Sequence, residues 1–315
     1  MAEPLPIQLP TQMPAGARLS RWRAPDGWDH RRFDWPNGAG RGRVLVQGGR
    51  SDVVEKYLGV MAHLHEQGWS VTSFDWRGQG GSGRLGRHAH VGHADRFDAH
   101  RDDLQAFWDE WAAAGEGPRV LLAHSMGAHF ALAAMATGRF RPDAAVLSAP
   151  MVQVRSPLGQ RGGRAMAEWM CRTAGREQGA WKFSDESAAV ARRMRRLTVD
   201  ATGGQDSRWW EEGDATLRLG PPSWGWIAEA FRAGAALAGD KRLADVTVPT
   251  LFLVPEHDQL VDARAALRLA ARMPTAAVVR FGPEAAHEVL REGGAVRDRA
   301  FGAIDRFLDR KAVRA

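Results

Sequence analysis

Cysteine is nearly absent: Cys171 is the only one in 315 residues. An intrachain disulfide is therefore excluded, and so is a metal site built on thiolates. Long apolar runs are missing too. No stretch of about eighteen apolar residues occurs, which argues against a transmembrane helix. The N-terminal MAEPLPIQLPTQMP has neither the basic start nor the apolar centre of a secretory signal. These absences make a cytoplasmic location the expectation. A Walker ending G-K-[ST] is also lacking, so the glycine-rich FDWRGQGGSGR does not read as a phosphate loop or a dinucleotide fingerprint. Its glycines are expected to serve turns and close packing, with Asp75 and Arg77 in structural bonds.

What is present is an ordinary globular composition, 44% hydrophobic and 25% charged, with a formal charge of +6. The positive residues are scattered, apart from Arg192, Arg193, Arg195 and Arg196. That spacing suits a solvated helix face, not a nucleic-acid stripe. Nucleic-acid binding is not expected; weak attraction to an anionic membrane surface is.

Six short apolar runs read as buried parallel strands: Arg43 to Gly48, Trp69 to Trp76, Arg119 to Ser125, Ala144 to Pro150, Thr250 to Glu256 and Ala276 to Gly282. Helical patterns fall between them, over Val53 to Glu66, Arg96 to Ala114 and Ala295 to Arg310, and after Ser125 and the Thr250 strand. This alternation predicts an α/β fold, a mostly parallel central sheet with helices on both faces. Functional residues should then follow strands. Residues 151–240 break the rhythm with short helices, loops and six tryptophans: Trp169, Trp181, Trp209, Trp210, Trp224 and Trp226. The span reads as an inserted helical lid between two parts of the core, 1–150 and 241–315. Most of the tryptophans are expected in the lid's own small core, and one or two facing an apolar pocket.

Leu121 to Leu132, LLAHSMGAHFAL, takes a strand into a helix through a serine. It matches the elbow G-x-S-x-G except that Ala123 replaces the first glycine. The N-terminal N–H groups of the helix that follows favour an anionic intermediate at Ser125. Such a serine needs a base, and the base an orienting carboxylate. His287 lies just past the Ala276 strand and Asp258 just past the Thr250 strand, in the order Ser, Asp, His. Glu256 still borders its strand and Asp262 opens a helix, so Asp258 is the preferred acid. His124 is expected to point away from the catalytic face and His129 to be structural. The oxyanion hole would take one backbone N–H from Met126 and one from Gly49 or Arg50. His88, His90 and His93 form H-x-H-x-x-H, but Gly92 stands where a metallo-hydrolase pattern needs aspartate. A solvated loop is expected there, with no metal and no cofactor.

With these residues in place, the chain resembles the α/β-hydrolase superfamily, in its lysophospholipase and monoacylglycerol-lipase branch of serine aminopeptidase S33-like hydrolases. The pieces that carry the likeness are GRSDVVEKY, FDWRGQGGSGR, LLAHSMGAH, LSAPM, LRLGPPSWGW, PTLFLVPEHDQLVD and AAHEVLRE. The resemblance implies an α/β-hydrolase fold with Ser125 as nucleophile, Asp258 as orienting acid and His287 as base. Aligned on Tyr57, it puts Arg50 beside Met126 at the oxyanion position. Gln47-Gly48-Gly49-Arg50 departs from the H-G-x-G of monoacylglycerol lipases and is closer to the bacterial lysophospholipase type. The implied activity is carboxylic ester hydrolysis through an acyl-enzyme, on a small ester or single-chain lipid. Acyl transfer on the same triad and a non-catalytic binding protein are the alternatives. Oligomeric state is not indicated.

Overall fold

The computed structural model describes residues 12–182, 187–200, 210 and 212–312. Among them, eight strands form one sheet in the order β1-β2-β4-β3-β5-β6-β7-β8. These are β1 Arg18–Arg23, β2 Asp29–Trp35, β3 Gly42–Gln47, β4 Trp69–Phe74, β5 Arg119–His124, β6 Ala144–Ser148, β7 Thr250–Pro255 and β8 Ala276–Phe281. β3 to β8 are mutually parallel, and only β2 runs against its neighbours. The last six strands are the six expected ones. β1 and β2 were not expected, because charged and polar residues, arginine above all, fill most of their positions. Along RLSRWR only Trp22 is buried, and along DHRRFDW only His30 and Phe33 are.

Successive strand residues face opposite sides, and the two sides carry separate cores. Leu45, Leu121, Leu147 and Phe252 pack under α2 (Asp98–Ala113), α3 (Met126–Met135) and α7 (Ala263–Ala270). Val44, Val46, Leu122, Val146 and Leu253 pack under α1 (Leu58–Glu66) and α8 (Gly294–Lys311). The helix expected from Val53 begins instead as a 3-10 turn, Val54–Tyr57. Its start is held from outside, by the Asp75 carboxylate accepting the Val54 N–H at 2.9 Å. Asp75 also accepts from Arg31 and from the Gly81 N–H, and Arg77 forks onto Asp103.

Between β6 and β7 lie α4 (Gly159–Thr173), α5 (Ser187–Leu197) and α6 (Trp224–Gly239). A Cβ on Gly163 would sit 2.4 Å from Phe231 Cζ, so α4 and α6 approach this closely only because position 163 is glycine. α6 does not belong to this segment alone. Its Ala230, Ala233 and Leu237 enter the core under α2, α3 and α7, while Ala228 and Phe231 face Ala167 of α4. The Ser223 Oγ caps α6 by accepting the Trp226 N–H at 3.0 Å.

Chain direction reverses its spread between β3 and β5. β4 lies on one side of β3 and β5 on the other, so a crevice opens at their carboxyl ends. Among the described residues no helix is long and apolar enough to cross a membrane.

The unexpected β2 contributes to the core as fully as its neighbours, since Phe33 is wholly buried. Phe33→Ala is expected to cost about 3–5 kcal/mol, measured by urea denaturation; a loss under about 1 kcal/mol would mean that β1 and β2 are dispensable.

Candidate active site

Ser125 stands at the crevice, between β5 and α3, with φ 50° and ψ −111°. Positive φ is costly for a non-glycine residue and persists only where the surroundings enforce it. Here the Ser125 N–H donates to the Ser148 carbonyl, and the Ser125 carbonyl accepts from the His129 and Met151 N–H groups. Gly127 is indispensable to the turn: a Cβ there would lie 2.5 Å from the Gly48 carbonyl oxygen and 3.0 Å from that of Gln47. Ala123 faces no such obstacle. It pairs with Gln47 and Leu147 in the sheet, and its methyl group is buried in the core under α3.

The structure brings Ser125, Asp258 and His287 together from three separate loops. His287 Nε2 is 2.9 Å from Ser125 Oγ, and His287 Nδ1 is 2.6 Å from Asp258 Oδ2. With Nδ1–H donating to the carboxylate, Nε2 is left to accept the serine proton. The other Asp258 oxygen accepts the Leu260 and Val261 N–H groups at 2.7 and 3.1 Å. Burial works against the charge on Asp258, yet the neighbouring His287 and these N–H groups bring its pKa below the usual aspartate value. Burial likewise disfavours the His287 cation, but Asp258, with Glu288 and Asp52, overcomes this and raises the imidazole above 6.5. The competing carboxylates lie elsewhere. Glu256 is exposed and 3.5 Å from Arg280, and Asp262 caps α7.

The loop after β3 abuts the serine. A Cβ on Gly49 would come within 3.0 Å of Ser125 Cβ. The Gly49 N–H is already engaged by Asp52 Oδ2, and the Gly49 carbonyl accepts from Gln79 Nε2 at 2.8 Å. A trans peptide directs its C=O and the next N–H to opposite sides. Gln79 thus turns the Arg50 N–H away from itself. Among the described residues neither the Arg50 nor the Met126 N–H donates to a protein acceptor. The Arg50 side chain leaves the loop in another direction. Its Nη2 donates to the Gly220 carbonyl and its guanidinium lies 5.5 Å over Trp226. Burial lowers its pKa to about 10.

Sequence reading missed a buried ionic group beside the triad. Asp52 accepts from Lys56 and from the Tyr57 hydroxyl at 2.8 Å, Lys56 also reaches Glu288, and Glu288 accepts from Arg291. Lys56 and Glu288 are 232 positions apart, and no local signal joins the two halves of the group. His124 is a correction. It does not point away: its ring centroid is 4.7 Å from that of His287. His124 shares the face of β5 that Leu122 presents to α1 and α8, and the His287 loop wraps onto that face through Val289 and Leu290. Burial and the nearby His287 hold His124 neutral, with a pKa of about 3. His129 is buried with Nδ1 3.0 Å from the Met151 carbonyl. The H-x-H-x-x-H loop is only partly solvated. His88 and His90 are exposed, but His93 is buried, 2.8 Å from the Ser223 Oγ that caps α6. No cluster of three or more potential metal ligands occurs among the described residues.

A cavity of about 940 Å³ opens over Ser125 and His287. Most of its wall comes from residues between β6 and β7. Trp181, Trp224 and Trp226 line it, whereas Trp169 projects 52% exposed from α4 and Trp210 packs against the α1/α8 core. Trp209 lies outside the described residues. Arg192, Arg193 and Arg196 of α5 line the cavity as well, so that face of α5 is not simply a solvated one.

This geometry agrees with what the chain is similar to. A family model described as serine aminopeptidase, S33, matches residues 38–294. Lysophospholipase L2 of Escherichia coli K12 is 32% identical over 284 residues, covering 85% of this chain and 80% of that protein. The probable lysophospholipase L2 of Haemophilus influenzae is 26% identical, covering 98% and 96%. A soluble variant of monoglyceride lipase from Saccharomyces cerevisiae, solved with a substrate analog, superimposes with a TM-score of 0.74 at 19% identity, over 97% of this chain and 100% of that one. The fold is that of the α/β hydrolases, and the chain belongs to their serine aminopeptidase S33 family.

Proposed function

We propose that the protein is a serine hydrolase that cleaves a carboxylic ester of a single-chain lipid through an acyl-enzyme, and that the lipid carries an anionic headgroup, as a lysophospholipid does. The observation that carries the chemistry is the unbroken run of contacts from Ser125 Oγ through His287 to Asp258, beside two undonated N–H groups. Ser125 attacks the ester carbonyl while His287 Nε2 takes its proton. Asp258 stabilises the imidazolium. The Arg50 and Met126 N–H groups receive the oxyanion. The imidazolium then protonates the leaving alcohol, and a water repeats the sequence to release the fatty acid.

The substrate class rests on the cavity. Residues 151–240 act in this reading as its lid. Its rim is apolar and open to solvent, with Leu158 56%, Met166 43% and Trp181 59% exposed, which suits an acyl chain entering from a lipid surface. Among the described residues, eight arginine and lysine side chains line it against two carboxylates, Asp52 and Glu288. Both carboxylates are paired with Lys56 or Arg291, so the field at the mouth is positive. A neutral monoacylglycerol would leave that field unused. The same field supports weak association with an anionic membrane. The single cysteine suits a cytoplasmic setting. Water is the acceptor of the acyl group in this reading; an alcohol in its place would make the same site a transferase.

Three outcomes are expected. A fluorophosphonate probe labels the wild-type protein and not Ser125→Ala; equal labelling of the two removes the catalytic reading. At equal chain length, kcat/KM favours a lysophospholipid of net negative headgroup over the monoacylglycerol, and Arg192→Glu with Arg196→Glu narrows that ratio about fivefold, worth about 1 kcal/mol. Preference for the neutral lipid would sink the headgroup claim. Because His287 must be neutral to accept the proton and its pKa is raised, kcat/KM falls as pH drops through a value above 6.5. An acid limb centred below 6.5 would contradict this.

A further inference from the structure

The ester-hydrolase reading requires two loops to keep register, one presenting the Arg50 N–H and the other His287. They belong to distant parts of the chain, after β3 and after β8. Each contributes one buried carboxylate within a peptide or two of its reacting group. Asp52 holds the Gly49 N–H through Oδ2. Glu288 is the chain neighbour of His287. The Lys56 ammonium lies between them, on Asp52 Oδ1 and Glu288 Oε1. We propose that Lys56 is a positioning residue: its bridge from Asp52 to Glu288 locks the peptide that offers the oxyanion donor to the loop that carries the base.

Three features favour this over a purely structural ion pair. Asp52 divides its two oxygens, one for Lys56 and one shared by the Gly49 N–H and the Tyr57 hydroxyl, so movement of the ammonium is passed directly to the oxyanion loop. Arg291 cannot replace Lys56 as the link, because it meets Glu288 from the histidine's own loop, three residues on. Buried ion pairs contribute little net stability against apolar groups of equal size, since desolvation offsets their attraction. Their geometric demands remain. The Lys56 and Arg291 cations overcome burial to hold the Glu288 carboxyl below its usual range, and Lys56 does the same for Asp52.

Without the ammonium, Asp52 and Glu288 would face one another in a buried site, and one would take up a proton. The grip on the Gly49 N–H would loosen, and the Arg50 N–H would lose its aim. The ground-state acyl chain, held by the cavity walls, would be little affected.

The test compares wild type, Lys56→Met, Glu288→Gln and the double variant on a p-nitrophenyl ester, with thermal midpoints and fluorophosphonate labelling recorded for each. Lys56→Met is expected to lower kcat by about 10²-fold, the scale of losing an oxyanion donor, with KM changed less than about threefold. Glu288→Gln breaks the same bridge and should lower kcat in the same sense. In the double variant Asp52 and Glu288 no longer confront each other as two carboxylates, but Asp52 still lacks its cation, so the thermal midpoint recovers at most in part. Its kcat stays as low as that of Lys56→Met, because one bridge cannot be lost twice. A double variant that regains wild-type kcat together with its midpoint would overturn the proposal, as would multiplying kcat losses or a change confined to KM. If Lys56→Met does not fold, Glu288→Gln alone decides: a lowered kcat with KM changed less than about threefold supports the bridge, and wild-type kcat overturns it. A wild type that fails to label overturns the ester-hydrolase reading itself, whereas a labelled wild type with variants of equal kcat overturns only the bridge.

Discussion

The contact between Gly127 and the end of β3 governs the whole region. The first turn of α3 presses on the Gln47 and Gly48 carbonyls so closely that one methyl group would collide with both. That approach sets Gly49 against Ser125 and brings the loop after β3 alongside the serine. The parallel sheet supplies the setting, since the spread of strands to either side of β3 opens space at the carboxyl edge. A wider spacing between α3 and β3 would leave Ser125 on its turn with nothing beside it. The positive φ of Ser125 is the local cost of this packing, and the Ser148, His129 and Met151 backbone bonds offset it.

Electrostatically the region has two zones. Near the serine, Asp52 and Glu288 are buried and balanced by Lys56 and Arg291, and Asp258 is held by hydrogen bonds from His287 and the Leu260 and Val261 N–H groups. His124, between them, remains neutral because burial and His287 both oppose its charging. Toward the mouth, positive charge is in excess and is mixed with exposed leucine, methionine and tryptophan. In the proposed reading the inner zone serves proton movement and the outer the capture of an amphiphile. The wall between β6 and β7 joins them, with α6 rooted in the main core and α5 at the rim.

Legibility in the sequence followed burial and distance along the chain. β3 to β7 were readable because strands covered on both faces become continuous apolar runs; edge strand β8 was readable from its apolar run although only Phe281 is buried. β1 and β2, at one edge, show a single Trp22 and the pair His30 and Phe33 among arginines, too little for any periodicity. Ser125, Asp258 and His287 were readable because each follows its own strand, which is a local sign. Gln79 and Glu288 carry no local sign, since their roles arise from contacts with the loop after β3, 30 and 232 residues away, and Asp52 and Lys56 show only an i,i+4 spacing that a surface pair would share. His124 misled for a related reason. Strand alternation gives the face of the sheet but not which distant loop wraps over it. His93 likewise looked like a loop residue until Ser223 supplied its partner.

Arg50 separates two tasks within one residue. The group proposed to receive the oxyanion is its backbone N–H, which every amino acid but proline possesses. The side chain is spent elsewhere, on the Gly220 carbonyl and the face of Trp226. In that reading, exchange of the side chain leaves the proposed donor chemically intact while altering the clasp on the cavity wall. In evolutionary terms position 50 can drift to suit new walls, and so new guests, without disturbing the chemistry beneath them.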